Sequence, residues 1–309
     1  MYASVSIDLD SISCYRRIYG LEDKFDDNMI YEVGLERFVE LMDTAGLRGT
    51  LFVVGSDLDS GDNRRVLRSL AREGFEIANH TMNHDYRLTR LSPEQIKREV
   101  GEAKLKLESA TGQQVVGFRA PGYNMNDTLA KAIFDTGHRY DTSVFPCLPY
   151  YGAKALVLSG MAVTGKKSNS ILGGPQVLAA PTKPYRMGRH YWRRGKGPLW
   201  ELPISVTPGM RLPFLGSFIT LWGEKHFNSY WRMMRHASPV LVLEMHGMDF
   251  IDGEWDGLDK ELLNTQPDIK VPWNKKRELY LRLFERMAKE RKVMTLRKTV
   301  NCLESECDG

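Results

Sequence analysis

Short apolar runs alternate with longer segments of helical spacing along most of this chain. The runs read ASVSID, GTLFVVG, FEIAN, VVGFRA, HRYDTS, WELPIS and PVLVLEMH, with another near KVMTL, and each predicts a strand. Between them, YEVGLERFVELMDTAG and PEQIKREVGEAKLKLESATG repeat their apolar residues at helical spacing. Each of the two closes on a glycine suited to a helix C-terminus. Ser92 before Pro93, with Glu94 and Gln95 in the first turn, marks a helix start. This alternation predicts a parallel α/β architecture. Seven or eight such units suggest a barrel rather than an open sheet, although strand count alone does not decide between them.

One region breaks the rhythm. From about residue 146 to 199 no clean strand and helix pair is readable, and a glycine-, proline- and lysine-containing excursion ends in KPYRMGRHYWRRGKG. So long an irregular insertion predicts a functional loop within a single domain spanning 1–309, which closes on a helical segment at about 274–309.

Composition narrows the classes. The apolar, aromatic and charged fractions are those of an ordinary soluble protein, and a net charge of +4 over 309 residues implies no nucleic-acid partner. Cys14, Cys147, Cys302 and Cys307 lack metal-site spacing and fit reduced thiols of the cytosol, with a pairing of the last two left open. Asp8 and Asp10 interrupt what would be the apolar part of a signal peptide, so a cytoplasmic location is expected. The longest uncharged apolar run, LPFLGSFITLWG, falls short of the roughly 20 residues that cross a bilayer.

In a parallel barrel, catalytic groups sit where strands end. The third predicted strand runs into NHTMNHDYRL, in which His80 and His84 stand four apart. On a helical or near-helical turn both imidazoles reach one ion; the ordinary alternative is a solvated turn with two unrelated histidines. Asn79, Thr81 and Asn83 favour a turn at a strand end over a surface helix. Thr81 stands where a zincin peptidase needs glutamate. Other strand ends carry Asp8 and Asp10, Arg119 in RAPGY, Asp141 in DTS, and His246 in LEMHG. Singly, each is a turn, an N-cap, an ion pair or a core histidine. Together they bring three carboxylates, three histidines and an arginine to one barrel mouth.

In this order, IDLD, HTMNH, RAP, DTS and LEMH resemble the motifs of the NodB-homology polysaccharide deacetylase family, carbohydrate esterase family four, from about residue 4 to 250. The aspartates are separated by Leu9, a D-x-D arrangement similar to the sugar-lipid deformylase branch, which acts on formylated 4-amino-4-deoxyarabinose carried on undecaprenyl phosphate. The resemblance implies a distorted (β/α) barrel of about seven parallel strands with a long irregular insertion late in the barrel. It implies that Asp10, His80 and His84 bind one divalent ion with an open position for water, zinc by default, with nickel, cobalt or iron as alternatives. Asp8 is then the base, His246 the acid for the departing amine, Arg119 the partner of Asp8 and Asp141 the partner of His246. Gly122 and Tyr123 would serve substrate and oxyanion. The D-x-D spacing leaves open which aspartate is base and which is ligand.

The activity so implied is metal-dependent hydrolysis of a formyl or acetyl group from an amino sugar, lipid-linked by the D-x-D likeness. The alternatives are a soluble or polymeric N-acetyl substrate, or an inactive sugar- or headgroup-binding module. Arg186, Arg189, Arg193, Arg194 and Lys196, with Tyr185, Tyr191 and Trp192 among them, suit peripheral contact with an anionic membrane on the cytoplasmic face. The apolar residues from Leu212 to Trp222 are expected to dip into that interface.

Overall fold

The structure is a computed structural model that describes residues 1–22, 28–163, 165 and 167–307. Its strands are β1 (Tyr2–Asp8), β2 (Thr50–Val53), β3 (Glu76–Asn79), β4 (Gly117–Phe118), β5 (Tyr140–Asp141), β6 (Tyr185–Arg186), β7 (Trp200–Glu201), β8 (Val240–His246) and β9 (Lys292–Val293). They form one sheet in the order β6-β7-β5-β4-β3-β2-β1-β8, with β9 beside β1. Every pairing is parallel except β6 with β7. The sheet curls into a half-barrel. Across the remaining gap, Ser205 N donates to Val242 O at 3.1 Å and Val242 N donates to Ser205 Oγ at 2.9 Å, while Leu215 bridges to Glu244.

The two-residue period of β1 sorts its side chains. Ala3, Val5 and Ile7 join the large cluster packed under the helices, with Phe38, Leu41, Trp231, Tyr280 and Phe284. Ser4, Ser6 and Asp8 are also buried but lie on the opposite face, toward the barrel interior. Strand β8 repeats the division, with Leu241, Leu243 and Met245 in the same cluster as Val5. The C-terminal helix Leu296–Cys307 closes the far end of the barrel. There Thr299 Oγ1 lies 2.9 Å from Ser4 Oγ, and Arg297 N donates to the buried Glu76 carboxylate.

The predicted helix over 93–112 forms as Pro93–Thr111, with a reciprocal Ser92–Gln95 capping box and Gly112 at φ 74°. The insertion departs from the expectation of irregular chain. It opens with a helix, Leu148–Val163, whose sequence LPYYGAKALVLSGMAV is apolar on every face and so shows no helical period. Burial takes several side chains out of the membrane expectation. Tyr185 and Tyr191 pack in a core cluster, and Phe214, Leu215 and Ile219 are buried, whereas Leu221, Arg193, Arg194 and Lys196 stand exposed. Exposed apolar side chains gather instead on the insertion helix, at Leu148, Leu156, Val157 and Val163. Among the described residues no helix is long and apolar enough to cross a membrane. All four cysteines are free, including Cys302 and Cys307.

Gly117 is fixed by its neighbour in the sheet. A Cβ there would stand 2.1 Å from Tyr140 Oη, which itself donates to Glu76 Oε1 at 2.9 Å. Gly117→Ala is expected to destabilise the fold by about 1–3 kcal/mol through overpacking, read from the midpoint of urea unfolding. An unchanged midpoint would show that Tyr140 yields without loss.

Candidate active site

Three strand ends of the half-barrel converge. Asp8 closes β1 and Asp10 follows two residues later; both are almost fully buried. The register partners of Asp8 at the top of the sheet are Phe52 on β2 and His246 on β8. The histidine pair is not on a helix. Asn79 ends β3, and its side chain accepts from Thr81 N at 2.8 Å and donates to Val100 O at 2.8 Å. Thr81 and His84 both take positive φ, 70° and 51°, and Thr81 Oγ1 accepts from His84 N. A side-chain-tied turn therefore brings the imidazoles together, with ring centroids 4.8 Å apart.

His80 Nε2 and His84 Nε2 each lie 3.1 Å from Asp10 Oδ1. His80 Nδ1–H donates to the Arg119 carbonyl at 2.8 Å, which leaves Nε2 free to act as a ligand. Burial alone pushes the Asp10 carboxyl up, yet His84 and His80 hold it well below the usual carboxylate range. Burial pulls His84 down, and Asp10 outweighs it and holds the imidazole well above its ordinary value. Asp10 Oδ1 and His84 Nε2 are buried without a hydrogen-bond partner, and one ligand atom from each of Asp10, His80 and His84 lies within 4.8 Å of the others. These residues fit a divalent cation in donor type, spacing and charge.

Beside them stands a second cluster of Asp8, Glu244 and His246. Arg119, fully buried, donates from Nη1 to Asp8 Oδ1 at 2.5 Å, from Nη2 to Ser6 Oγ, and from Nε to the Thr142 carbonyl, and it lies over the Phe52 ring. Tyr123 Oη donates to Glu244 Oε1 at 2.5 Å and lies 3.4 Å from His246 Nε2. His246 Nε2 is 3.3 Å from the same Glu244 oxygen. Burial pushes the Glu244 carboxyl up, against the pull of the His246 imidazole beside it. Burial pulls His246 down, but Glu244 first, then Asp10 and Asp8, raise it to about 9. Asp249 accepts from His246 N at 2.8 Å and is itself pushed up to about 6 by burial.

Asp141 does not play the part expected of it. It accepts from Ser143 and stands in register with Glu201, and the carboxylate beside His246 is Glu244. Glu244 escaped the sequence reading although it left a signal, a lone acid inside the apolar strand VLVLEMH. Gly122 does sit at the site, with φ 59° and a Cβ position 2.9 Å from Tyr86, so a side chain there would meet both backbone strain and a ring. A cavity of about 540 Å³ opens over Asp8, Asp10, His80, Gly122, Tyr123 and His246, walled by the insertion helix through Tyr150, Lys154 and Leu158. None of Arg186, Arg189, Arg193, Arg194 or Lys196 lines it.

The family model described as polysaccharide deacetylase matches residues 24–155 of this chain. A peptidoglycan deacetylase-like protein of Gibberella zeae is 28% identical over 250 residues, covering 77% of this chain and 72% of the relative. A peptidoglycan-N-acetylglucosamine deacetylase of Bacillus cereus is 30% identical over 90 residues, 29% of this chain and 40% of the relative. A Mycobacterium smegmatis crystal structure, provisionally named a polysaccharide deacetylase, superposes with a TM-score of 0.60 at 18% identity, over 99% of this chain and 90% of that one. That likeness shows the fold, the (β/α) half-barrel of these deacetylases. The family model covers less than half of this chain, and the structural likeness carries the fold alone. The matched stretch holds the histidine pair and RAP, whereas Asp8, Asp10 and His246 lie outside it.

The geometry around Asp10 predicts about one zinc per chain by elemental analysis. His80→Ala or His84→Ala should lose both ion and activity while keeping the native circular dichroism spectrum. Full occupancy in both variants would remove the site assignment.

Proposed function

We propose that this chain is a metal-dependent amidohydrolase that removes a formyl or acetyl group from an amino sugar. The observation that carries the reading is the meeting, at one cavity, of an Asp-His-His set with buried unpartnered ligand atoms and a separate Asp8–Glu244–His246 cluster. Asp10, His80 and His84 hold the ion, with zinc first by donor type. When bound, it supplies Lewis-acid polarisation of the amide carbonyl and acidification of water.

The chain's own residues move the protons. Asp8, fixed by Arg119, takes the proton from the attacking water. His246 returns a proton to the departing amine, and Glu244 beside it raises the hold of the imidazole on that proton. The left-handed backbone at Gly122 and Tyr123 keeps the cavity wall free of a side chain where an oxyanion would sit. A purely sugar-binding module would have no use for a buried arginine on Asp8 and a buried glutamate on His246 together.

Within this class the cavity favours a lipid-linked sugar over a polymeric glycan. Its outer wall is apolar, with Val157, Leu158, Phe218 and Leu221, and Lys154 stands among them with its amine pushed down to about 8 by burial. Apolar surface and one cation suit a phosphate-linked lipid, in line with the D-x-D likeness to the deformylase branch, while the relatives named above carry peptidoglycan in their names. Any membrane contact then belongs to the insertion helix and not to the basic loop. The separating experiment offers lipid-phosphate-linked N-formyl and N-acetyl amino sugars beside N-acetylglucosamine oligomers and measures released formate and acetate. Faster turnover of the oligomers would transfer the substrate to the polymer class.

Asp8→Asn and His246→Ala should retain zinc and lose kcat by roughly 10²–10⁴-fold. Loss of zinc in Asp8→Asn with retention in Asp10→Asn would reverse the two roles. The pH profile offers a second check. A general acid with a raised pKa is protonated below that value, so activity should fall on the alkaline side, at or below about 9. Glu244→Gln removes the charge that holds the proton and should move that limb to lower pH. An alkaline limb that stays in place in Glu244→Gln would exclude His246 as the acid.

A further inference from the structure

We propose that Cys14 is a positioning residue for the metal centre, the outer partner of His84, and that covalent modification of its thiol loosens the ion. This rests on the metal reading of Asp10, His80 and His84. The two histidines are supported differently. His80 has a backbone carbonyl for its Nδ1–H, whereas His84 turns Nε2 toward Asp10 and leaves Nδ1 buried with no hydrogen bond of ordinary geometry. Cys14 and His84 line one cavity, which makes the thiol a side chain placed to serve the unpartnered Nδ1. Its sulfur already accepts from Arg17 Nη2 at 3.1 Å and lies 3.4 Å from Ser11 Oγ, so it is held as an acceptor on a buried helix start, four residues after Asp10. A metal-bound histidine keeps its ring orientation and tautomer through such a partner.

The thiol is almost fully buried but lines a cavity separate from the reaction site. This second cavity, about 750 Å³, is lined by Cys14, Arg17, Ser11, Asn63 and His84, and among the described residues it shares no lining residue with the substrate cavity. A small reagent therefore reaches Cys14 without passing the reaction site. With methyl methanethiosulfonate, the Cys14 sulfur attacks the sulfenyl sulfur and a Cys14–S–S–CH₃ bond forms. The reagent's S–S bond breaks, methanesulfinate leaves with its electron pair, and the thiol proton passes to buffer. The added methylthio group pushes against the His84 ring.

Zinc affinity, measured by competition with a chromophoric chelator on wild type, Cys14→Ser and Cys14→Ala, tests this without recourse to turnover. Cys14→Ser, which keeps an acceptor, should stay within about threefold of wild type, and Cys14→Ala should bind zinc about 10–100-fold more weakly. Methyl methanethiosulfonate should release zinc from wild type, reversibly with dithiothreitol. It should not do so from Cys14→Ser, in which the other three cysteines remain. Circular dichroism confirms folding. Equal zinc affinity in Cys14→Ala and wild type, or equal release from Cys14→Ser, would overturn the proposal while leaving the metal centre intact. A wild type that binds no zinc would overturn both.

Discussion

Two carboxylates buried within three residues of one strand end set the terms for everything around them. An unpaired buried carboxylate is costly, and removing one partner of such a pair costs about 3–5 kcal/mol. Asp8 is balanced by Arg119, which must itself be buried and held by Ser6, Thr142 and the face of Phe52. Asp10 has no arginine. Its balance comes from two imidazoles, and the atoms left without partners are those a cation would bind. The polar interior face of β1, the tied turn after β3 and the arginine at the end of β4 answer this one electrostatic demand.

The same constraint divides the site into two functional halves that share the end of β1. On one side the ligand set is fixed by hydrogen bonds to backbone and by a strained turn. On the other, Glu244 first, then Asp10 and Asp8, raise the pH at which His246 gives up its proton, and Tyr123 holds Glu244 in place. Positive φ at Thr81, His84, Gly122 and Tyr123 marks where backbone strain is spent on aim. The insertion helix adds a wall whose character, apolar with a single buried lysine, differs from the charged floor beneath it.

Much of this was legible beforehand. Parallel strands, the capped helix at 93–111 and the strand-end motifs follow from period, caps and residue type, all properties of neighbouring residues. Other features were hidden. The insertion helix has no polar face, so no period betrays it. The aromatic residues of the basic loop read as membrane anchors, yet Tyr185 and Tyr191 fill a core that exists only once the sheet edge is formed.

The sequence by itself determined the elements, the order of the motifs and the chemical types gathered at the barrel mouth, because these depend on local spacing. Which carboxylate faces which histidine was decided by the tertiary structure alone. Asp141 and Glu244 are both acids near strand ends, but the sheet order puts β8 beside β1 and sends Asp141 toward Glu201 and Ser143. The meeting of Cys14 and His84 at one cavity is of the same kind, joining residues 70 positions apart through a packing that no period along the chain encodes.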